Sequence, residues 1–152
     1  MKRLLTVAVF ILTAKAGFAG AIDKQFEMIL DEYYKIQSSL AQDKNVGIDV
    51  AAKAIAHHTH GIQATDPEVS DLVSAVQKAA HRIQGKELKE ARSEFFNLSK
   101  PIMVFLNKYY SGTKKNFRFF CGMAKKGWVQ PDQDTRNPYY GKSMLTCGEL
   151  IK

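Results

Sequence analysis

Four amphipathic stripes constrain the fold of this chain more than any other feature of its sequence. In each stripe the apolar residues recur at alternating intervals of three and four, which places their side chains on one face of an α-helix. The stripes are Phe26, Ile29, Tyr33, Ile36 and Leu40; Ile48, Ala51, Ile55 and His58; Val69, Leu72, Val76, Ala79 and Ile83; and Leu88, Ala91, Phe95, Leu98, Ile102, Phe105 and Tyr109. The pattern predicts four helices.

Short connections join these four stripes, and a short link cannot carry the chain back to the end of the helix from which it came. We therefore predict an all-α fold, an antiparallel up-and-down four-helix bundle. Pro101 lies inside the last stripe. Because the stripe keeps its phase on both sides of the proline, we predict a kinked helix that continues through it.

Residues that favour helix ends lie at the borders of the stripes. Side chains that accept hydrogen bonds from free N–H groups favour the start of a helix, and glycine favours its end. The expected N-caps are Asp23, Asn45 and Thr65, with Glu68 as the capping-box partner of Thr65. Gly61, in a left-handed conformation, and Gly85 are expected to end the second and third helices.

The helical pattern ends after Tyr110. The tail, residues 111–152, is rich in glycine, proline and aromatic side chains, too many of them large and apolar to remain in water. These large side chains are Phe117, Phe119, Phe120, Trp128, Tyr139 and Tyr140. We predict an irregular C-terminal tail, carrying both cysteines of the chain, that packs on the bundle.

The first 21 residues have the layout of a secretion signal. Lys2 and Arg3 precede an apolar run over residues 4–14, and small residues follow at positions 19–21. The apolar run is about half of the ~20 residues that span a bilayer. We therefore predict a signal peptide that is cleaved after Ala21.

The mature chain, residues 22–152, is then expected to be a single domain in the periplasm or secreted, without stable membrane insertion. The signal carries three of the basic residues and no acid, so its removal lowers the formal net charge of +7 by three. Such a modest positive charge on an exported protein predicts no nucleic-acid partner. The sequence lacks a metalloprotease helix motif, a glycine-rich phosphate loop and a nucleophile elbow, so we do not expect an enzyme.

Four sulfur-containing side chains in the tail could carry chemistry. Cys121 is followed closely by Met123, and Cys147 is preceded closely by Met144. If residues 117–123 are extended, the first two side chains share a face, and if residues 144–147 form a helical turn, the second two do as well. Two thiols and two thioethers that faced one another would form a soft ligand set suited to Cu(I).

A structural disulfide is the alternative interpretation of the same cysteines. An even number of cysteines in an exported chain is its usual signature, and oxidation is the default for paired thiols outside the cytoplasm. A bond between Cys121 and Cys147 would stabilise the fold by about 3.5 kcal/mol in the chain-entropy model. A disulfide and a copper site exclude each other at any one moment, although a redox-switched site could be both.

Histidines form the other notable cluster. His57 and His60 are three residues apart on one predicted helical face, so they could bind a metal together. Histidines in a last helical turn also interact favourably with the helix dipole, and we favour this structural interpretation for the pair. His58 lies on the apolar stripe as a core histidine, and His81 lies further along the chain.

The tail is similar to the end of a known bacterial domain. The matching segments are residues 119–124 (Phe-Phe-Cys-Gly-Met-Ala), 127–128 (Gly-Trp) and 136–148 (Arg-Asn-Pro-Tyr-Tyr-Gly-Lys-Ser-Met-Leu-Thr-Cys-Gly). They resemble a periplasmic domain of unknown function that occurs alone and also appended to adaptor subunits of Cus-type copper and silver efflux pumps. Tyr33-Tyr34 and residues 95–106 resemble it too. Gly122 stands where the family usually has proline, which loosens the backbone there.

The resemblance implies a role in heavy-metal handling. We therefore consider two hypotheses. In the first, the chain is a periplasmic copper-binding or copper-handling protein related to efflux, with Cu(I) held by Cys121, Met123, Met144 and Cys147. In the second, it is an interaction module that binds no metal, is held by a Cys121–Cys147 disulfide, and docks onto a metal-efflux adaptor or another periplasmic protein.

Overall fold

The computed structural model of the chain describes residues 14–151, with side chains from residue 20 onward. The charged and apolar parts of the predicted signal, up to residue 13, lie outside the described residues. Four α-helices are followed by a small β-sheet. The elements are α1 (Ala14–Ala41), α2 (Ile48–His60), α3 (Pro67–Ile83), α4 (Leu88–Lys108), β1 (Phe117–Cys121), β2 (Lys126–Gln130), a 3₁₀ helix (Gly141–Met144) and β3 (Glu149–Ile151).

The four predicted helices are present, and their stripes form the core. Ile29, Ile55 and Val76, from three different helices, are each fully buried. In α2 the buried face passes through Thr59, whereas His58 is partly exposed, so the expectation of a core histidine is wrong. Helix α4 continues on both sides of Pro101, as predicted.

The predicted N-caps of α1 and α3 are both wrong. Asp23 lies inside α1 rather than at its start, and its carboxylate accepts the hydroxyl of Ser111 at 2.6 Å. Asp66, not Thr65, caps α3, because its side chain is the one placed to accept the first free N–H groups, those of Glu68 and Val69.

Glycines occupy both ends of α2. Gly47, with φ of 83°, takes the N-cap position that was predicted for Asn45. Gly61 ends the helix as expected but with φ of −79°, so the predicted left-handed conformation is wrong. Gly85, with φ of 67°, follows the last residues of α3 as predicted.

The helices contact one another in chain order. Helix α1 packs on α2, α2 on α3 and α3 on α4, and α4 also packs on β2. The core they share includes Phe119, Trp128 and Val129 of the tail, which therefore folds back onto the helices as expected. Within residues 14–151 there is no helix of the length and apolar character that crossing a bilayer requires.

The tail is ordered as a sheet, so an all-α fold with an irregular tail is wrong. Its strands lie in the order β2-β1-β3, all antiparallel, with Phe119 opposite both Trp128 and Leu150. Every second residue of β1 is directed inward, so Phe119 and Cys121 are both buried. The β-forming aromatic residues of this segment therefore build a strand.

Two buried amides hold the loops of the tail in place. The Gln130 side-chain oxygen accepts the indole N–H of Trp128 at 3.0 Å and the backbone N–H of Arg136 at 3.1 Å, and its nitrogen donates to the carbonyl of Asp134 at 2.6 Å. Asn137 acts in the same way on the segment that leads to Cys147. These side chains satisfy backbone groups of loop residues that have no partner in regular secondary structure.

Candidate functional site

The structure brings the two cysteines together at one end of the sheet. Cys121 is the last residue of β1, and Cys147 lies between the 3₁₀ helix and β3. Their Sγ atoms are 2.8 Å apart across 26 residues of sequence. Both are free thiols in this structure. A paired-thiol site is thus formed by the pairing of strands that the sequence did not reveal.

Backbone geometry fixes each sulfur from a different side. Cys121 is fully buried because its side chain is on the inward face of β1. Cys147 is partly exposed, and its backbone is anchored at both ends. Its N–H donates to the carbonyl of Met144 at 3.1 Å, and its carbonyl accepts the Asn137 side-chain amide at 2.6 Å.

Asn137 is the residue that organises this segment. It is fully buried, and its side-chain oxygen accepts the backbone N–H groups of Tyr139 at 2.8 Å and Tyr140 at 3.3 Å. Its backbone N–H donates to the carbonyl of Leu145 at 2.7 Å. Sequence reasoning identified Asn137 only as a turn residue; its position ten residues before Cys147, in an Asn-Pro turn, was the one available signal.

A backbone N–H group donates to one sulfur of the pair. The backbone N–H of Ala124 points at Cys121 Sγ with an N···S distance of 3.4 Å. The backbone N–H of Met123 and the side-chain amide of Asn137 also help to lower the pKa of the Cys121 thiol. Such donors stabilise a negative charge on sulfur, which is the form that reacts and that binds metals.

The pKa values of the two thiols are shifted in opposite directions. Burial raises the pKa of the Cys121 thiol, but the hydrogen bond from Cys147 and the N–H donors outweigh burial and hold the pKa below its usual range. The hydrogen bond to Cys121, followed by burial, raises the pKa of Cys147. The two thiols therefore titrate as a coupled pair, and the first deprotonation belongs to the pair as a whole.

The two methionines lie close to the pair in sequence but on the outside. Strand β1 ends at Cys121, so the expected extended segment does not reach Met123, which lies in the following turn with 68% of its surface exposed. Met144 is the last residue of the 3₁₀ helix and is partly exposed. Neither side chain is part of the buried core.

A groove of about 520 Å³ opens beside the sulfur pair. Its walls come from the start of α4, from the turn between β1 and β2, and from the segment after Asn137. The lining residues are Leu88, Lys89, Arg92, Ser93, Met123, Ala124, Lys126, Tyr139 and Tyr140. Three cations and no carboxylate line this groove.

The histidines do not form a comparable site. The rings of His57 and His58 lie 5.9 Å apart near the end of α2, while His60 is hydrogen-bonded to Gln77. His81 is on α3 and is bonded to Gln84. Among residues 14–151, no three His, Cys, Asp or Glu side chains are grouped so that they could hold a metal ion.

Comparisons of this chain with protein-family models, with curated proteins and with solved structures gave no match. The site is therefore interpreted from its own chemistry. That chemistry is a pair of adjoining thiols, one of which has a lowered pKa, an exposed thioether on the adjoining turn, and a positively charged groove.

Proposed function

We propose that this chain is an exported protein that takes up Cu(I) as cargo at Cys121 and Cys147, in a heavy-metal handling role related to efflux. The observation that carries the proposal is the backbone N–H of Ala124, which donates to the Cys121 sulfur where that sulfur adjoins the one of Cys147. A purely structural disulfide has no need of groups that stabilise a thiolate. Soft Cu(I) prefers thiolate and thioether ligands, and the thiolate is the form that binds.

Met123 and Met144 are the thioethers that would complete the ligand set. Met123 supports this role because its side chain is exposed next to the pair, so a thioether is available where a metal ion would arrive from solvent. Metal–sulfur bonds of about 2.3 Å leave no room for an ion between sulfurs in contact, so the sulfurs have to separate on uptake. The Cys147 side chain is the one to turn away, because it is partly exposed whereas Cys121 is fully buried.

A second function is favoured by the contact between the sulfurs itself. Thiols 2.8 Å apart in an exported protein are positioned for oxidation to a disulfide. In this case the bond fastens the segment before β3 to the end of β1, and the chain works as an interaction module that docks onto an efflux adaptor or another periplasmic protein. No metal is then bound.

Copper titration of the reduced protein separates the two functions. We expect Cu(I) to bind in competition with a chelator, and Cys121→Ser or Cys147→Ser to abolish binding. Met144→Leu and Met123→Leu are expected to weaken Cu(I) binding without a large change in melting temperature, since the exchange conserves apolar volume.

The alternative function gives the opposite pattern. Copper affinity would be unchanged in both methionine variants. Cys147→Ser would lower stability by about 2 to 5 kcal/mol, and only under oxidising conditions. Counting free thiols in protein purified from the periplasm, before and after copper addition, gives an independent measurement of the state of the pair in the cell.

Export is tested separately. N-terminal sequencing of the mature protein is expected to begin at or near Ile22. Recovery of the chain from the cytoplasm with Met1 intact would contradict the proposed location.

A further inference from the structure

The groove beside the sulfur pair carries positive charge that the fold does not neutralise. Lys89 and Lys126 make no ion pair within the described part of the chain. The third cation, Arg92, is paired with Asp43 and also donates to the carbonyl of Leu40, so it is part of the fold. Two lysines are therefore free to meet a negatively charged ligand.

Lys126 is held over aromatic rings rather than extended into solvent. Its ammonium lies 5.3 Å from the ring centroid of Tyr139 and 5.9 Å from that of Phe96. Contacts of this kind restrict a lysine without neutralising its charge. The second lysine, Lys89, is contributed by the first turn of α4, so the two charges come from different elements that border the same groove.

Met123 connects the groove to the sulfur pair. It follows Cys121 by two residues in the turn after β1, and its exposed side chain lines the groove. Ala124 connects them in the same way, since it lines the groove and donates to Cys121 Sγ. A ligand in the groove therefore lies against the same turn that contacts the Cys121 sulfur.

The mixture of groups identifies the class of ligand. Leu88, Tyr139 and Tyr140 lie among the cations, so the groove offers apolar contacts as well as charge. A volume of about 520 Å³ is larger than a phosphate needs and falls in the range of sites for several side chains. Acidic side chains with apolar neighbours, as in a peptide, match both features.

We infer that this groove docks an acidic peptide segment of a partner protein and places that partner's metal-donating group beside Cys121 and Cys147. The inference rests on the proposed function, because delivery or removal of Cu(I) is the purpose it assigns to docking. Charge complementarity between an acidic segment and Lys89 and Lys126 provides orientation and fast association.

A second basic groove offers a matched control. It lies between α3 and α4, has a volume of about 400 Å³ and includes no residue of the tail. Its lysines are Lys78 and Lys100. Reversing both of them changes the net charge as much as reversing Lys89 and Lys126 does, but leaves the surface beside the sulfurs intact.

The test uses two fluorescent peptides as probes, one of alternating glutamate and methionine and one with glutamine in place of each glutamate. We expect the full mature chain to bind the acidic peptide and not the glutamine peptide at about 150 mM salt. The double variant Lys89→Glu, Lys126→Glu should bind the acidic peptide with an affinity at least about tenfold lower. The control variant Lys78→Glu, Lys100→Glu should change binding by less than about twofold.

Three results would overturn the inference. Equal loss in both double variants would show that bulk charge alone attracts the peptide. Equal binding of the glutamine peptide would show that the groove does not recognise acids. Binding to anionic phosphatidylglycerol vesicles through Lys89 and Lys126, with no peptide binding, would assign the surface to a membrane.

Copper measurements on the same proteins keep this inference separate from the proposed function. If Cu(I) binds the chain but the acidic peptide does not, the docking inference fails and the proposed function stands. If the peptide binds with the expected lysine dependence but Cu(I) does not bind, the proposed function fails and the groove remains a docking surface. If the chain binds both Cu(I) and the acidic peptide, the Cu(I)-loaded peptide should transfer its metal more slowly to the Lys89→Glu, Lys126→Glu variant than to the control variant Lys78→Glu, Lys100→Glu.

Discussion

The hydroxyl of Tyr33, on α1, accepts the backbone N–H of Val129, in β2, at 3.1 Å. The same hydroxyl lies 2.7 Å from the hydroxyl of Ser99, on α4. Tyr33 is fully buried, so one phenol joins the first helix, the last helix and the edge of the sheet inside the core. Burial raises the pKa of this phenol far above its ordinary value, so it remains a neutral donor and acceptor.

Replacing this phenol by phenylalanine should destabilise the fold although the ring is kept. Tyr33→Phe leaves the Val129 N–H and the Ser99 hydroxyl buried without their partner. We expect a loss of about 1 to 3 kcal/mol in the free energy of unfolding, measured by urea denaturation. Tyr34→Phe is the control, because the Tyr34 hydroxyl bonds only to the exposed carbonyl of Lys115. An equal effect of both variants would contradict the role given to Tyr33.

Two glycines of the tail should differ in how much stability is lost when a methyl group is added. Gly141 has φ of 57°, and a Cβ there would overlap the side chains of Asp43 and Arg92. Gly141→Ala should therefore cost about 2 to 5 kcal/mol. A Cβ at Gly122 meets no atom within 4 Å, and its φ is outside the left-handed region, so Gly122→Ala should change stability by no more than about 1 kcal/mol. Melting temperatures of the two variants provide the comparison.

The two cysteines should differ in their reaction with an alkylating agent. Under reducing conditions iodoacetamide should modify Cys147 first, since Cys121 is fully buried. The hydrogen bond to Cys121 is the main cause of the raised pKa of Cys147, and burial adds to it. Cys121→Ala should therefore speed the labelling of Cys147 at about pH 8 by a factor on the order of 3 to 10.

Peptide mapping by mass spectrometry identifies the labelled residue. Unfolding in urea is the control, since both cysteines should then react at similar rates. Preferential labelling of Cys121 in the native protein would contradict the burial on which this prediction depends.

Asp43 should give the fold a pH dependence in the acidic range. The hydrogen bond from Arg92 lowers the pKa of its carboxyl group; burial opposes this, and the backbone N–H of Lys142 adds to it. A carboxyl group whose pKa is lower in the folded state stabilises folding above the unfolded pKa of about 3.9, and this stabilisation is lost as the pH falls through the folded pKa.

Asp43→Asn isolates this charge, because asparagine tolerates the left-handed backbone at this position, where φ is 59°. We expect the variant to lose stability near neutral pH and to differ less from the wild type below about pH 3. Urea midpoints at both pH values measure the effect. Asp71→Asn, at an exposed position on α3, is the matched control for the loss of one carboxylate.

The helices could be predicted from the sequence because their signal is local. The stripe from Leu88 to Tyr109 is periodic over its whole length, and a single proline does not interrupt that period. The caps were less predictable, since Thr65 and Asp66 both carry a suitable oxygen and only the backbone conformation decides between them.

The sheet could not be predicted in the same way, because strand pairing is a long-range property. Nothing near Phe119 in the sequence specifies Leu150 as a neighbour, yet the two are paired. The meeting of Cys121 and Cys147 depends on that pairing and on the buried amide of Asn137. Their chemistry could be proposed from residue types, but the donor to Cys121 Sγ is the backbone N–H of Ala124, a group that nearly every residue has.

The sheet order β2-β1-β3 also sets a sequence of events during synthesis. The central strand, β1, emerges first, and β2 follows after a four-residue turn, so this hairpin can form while the chain is still being made. The strand that covers the other edge of β1 arrives much later, and Cys147 arrives just before it. During that interval Cys121 has no partner and one edge of β1 is open to other chains. A pause in translation or translocation between the two cysteines would prolong the stage at which a foreign thiol or a foreign strand can take the place of the native one.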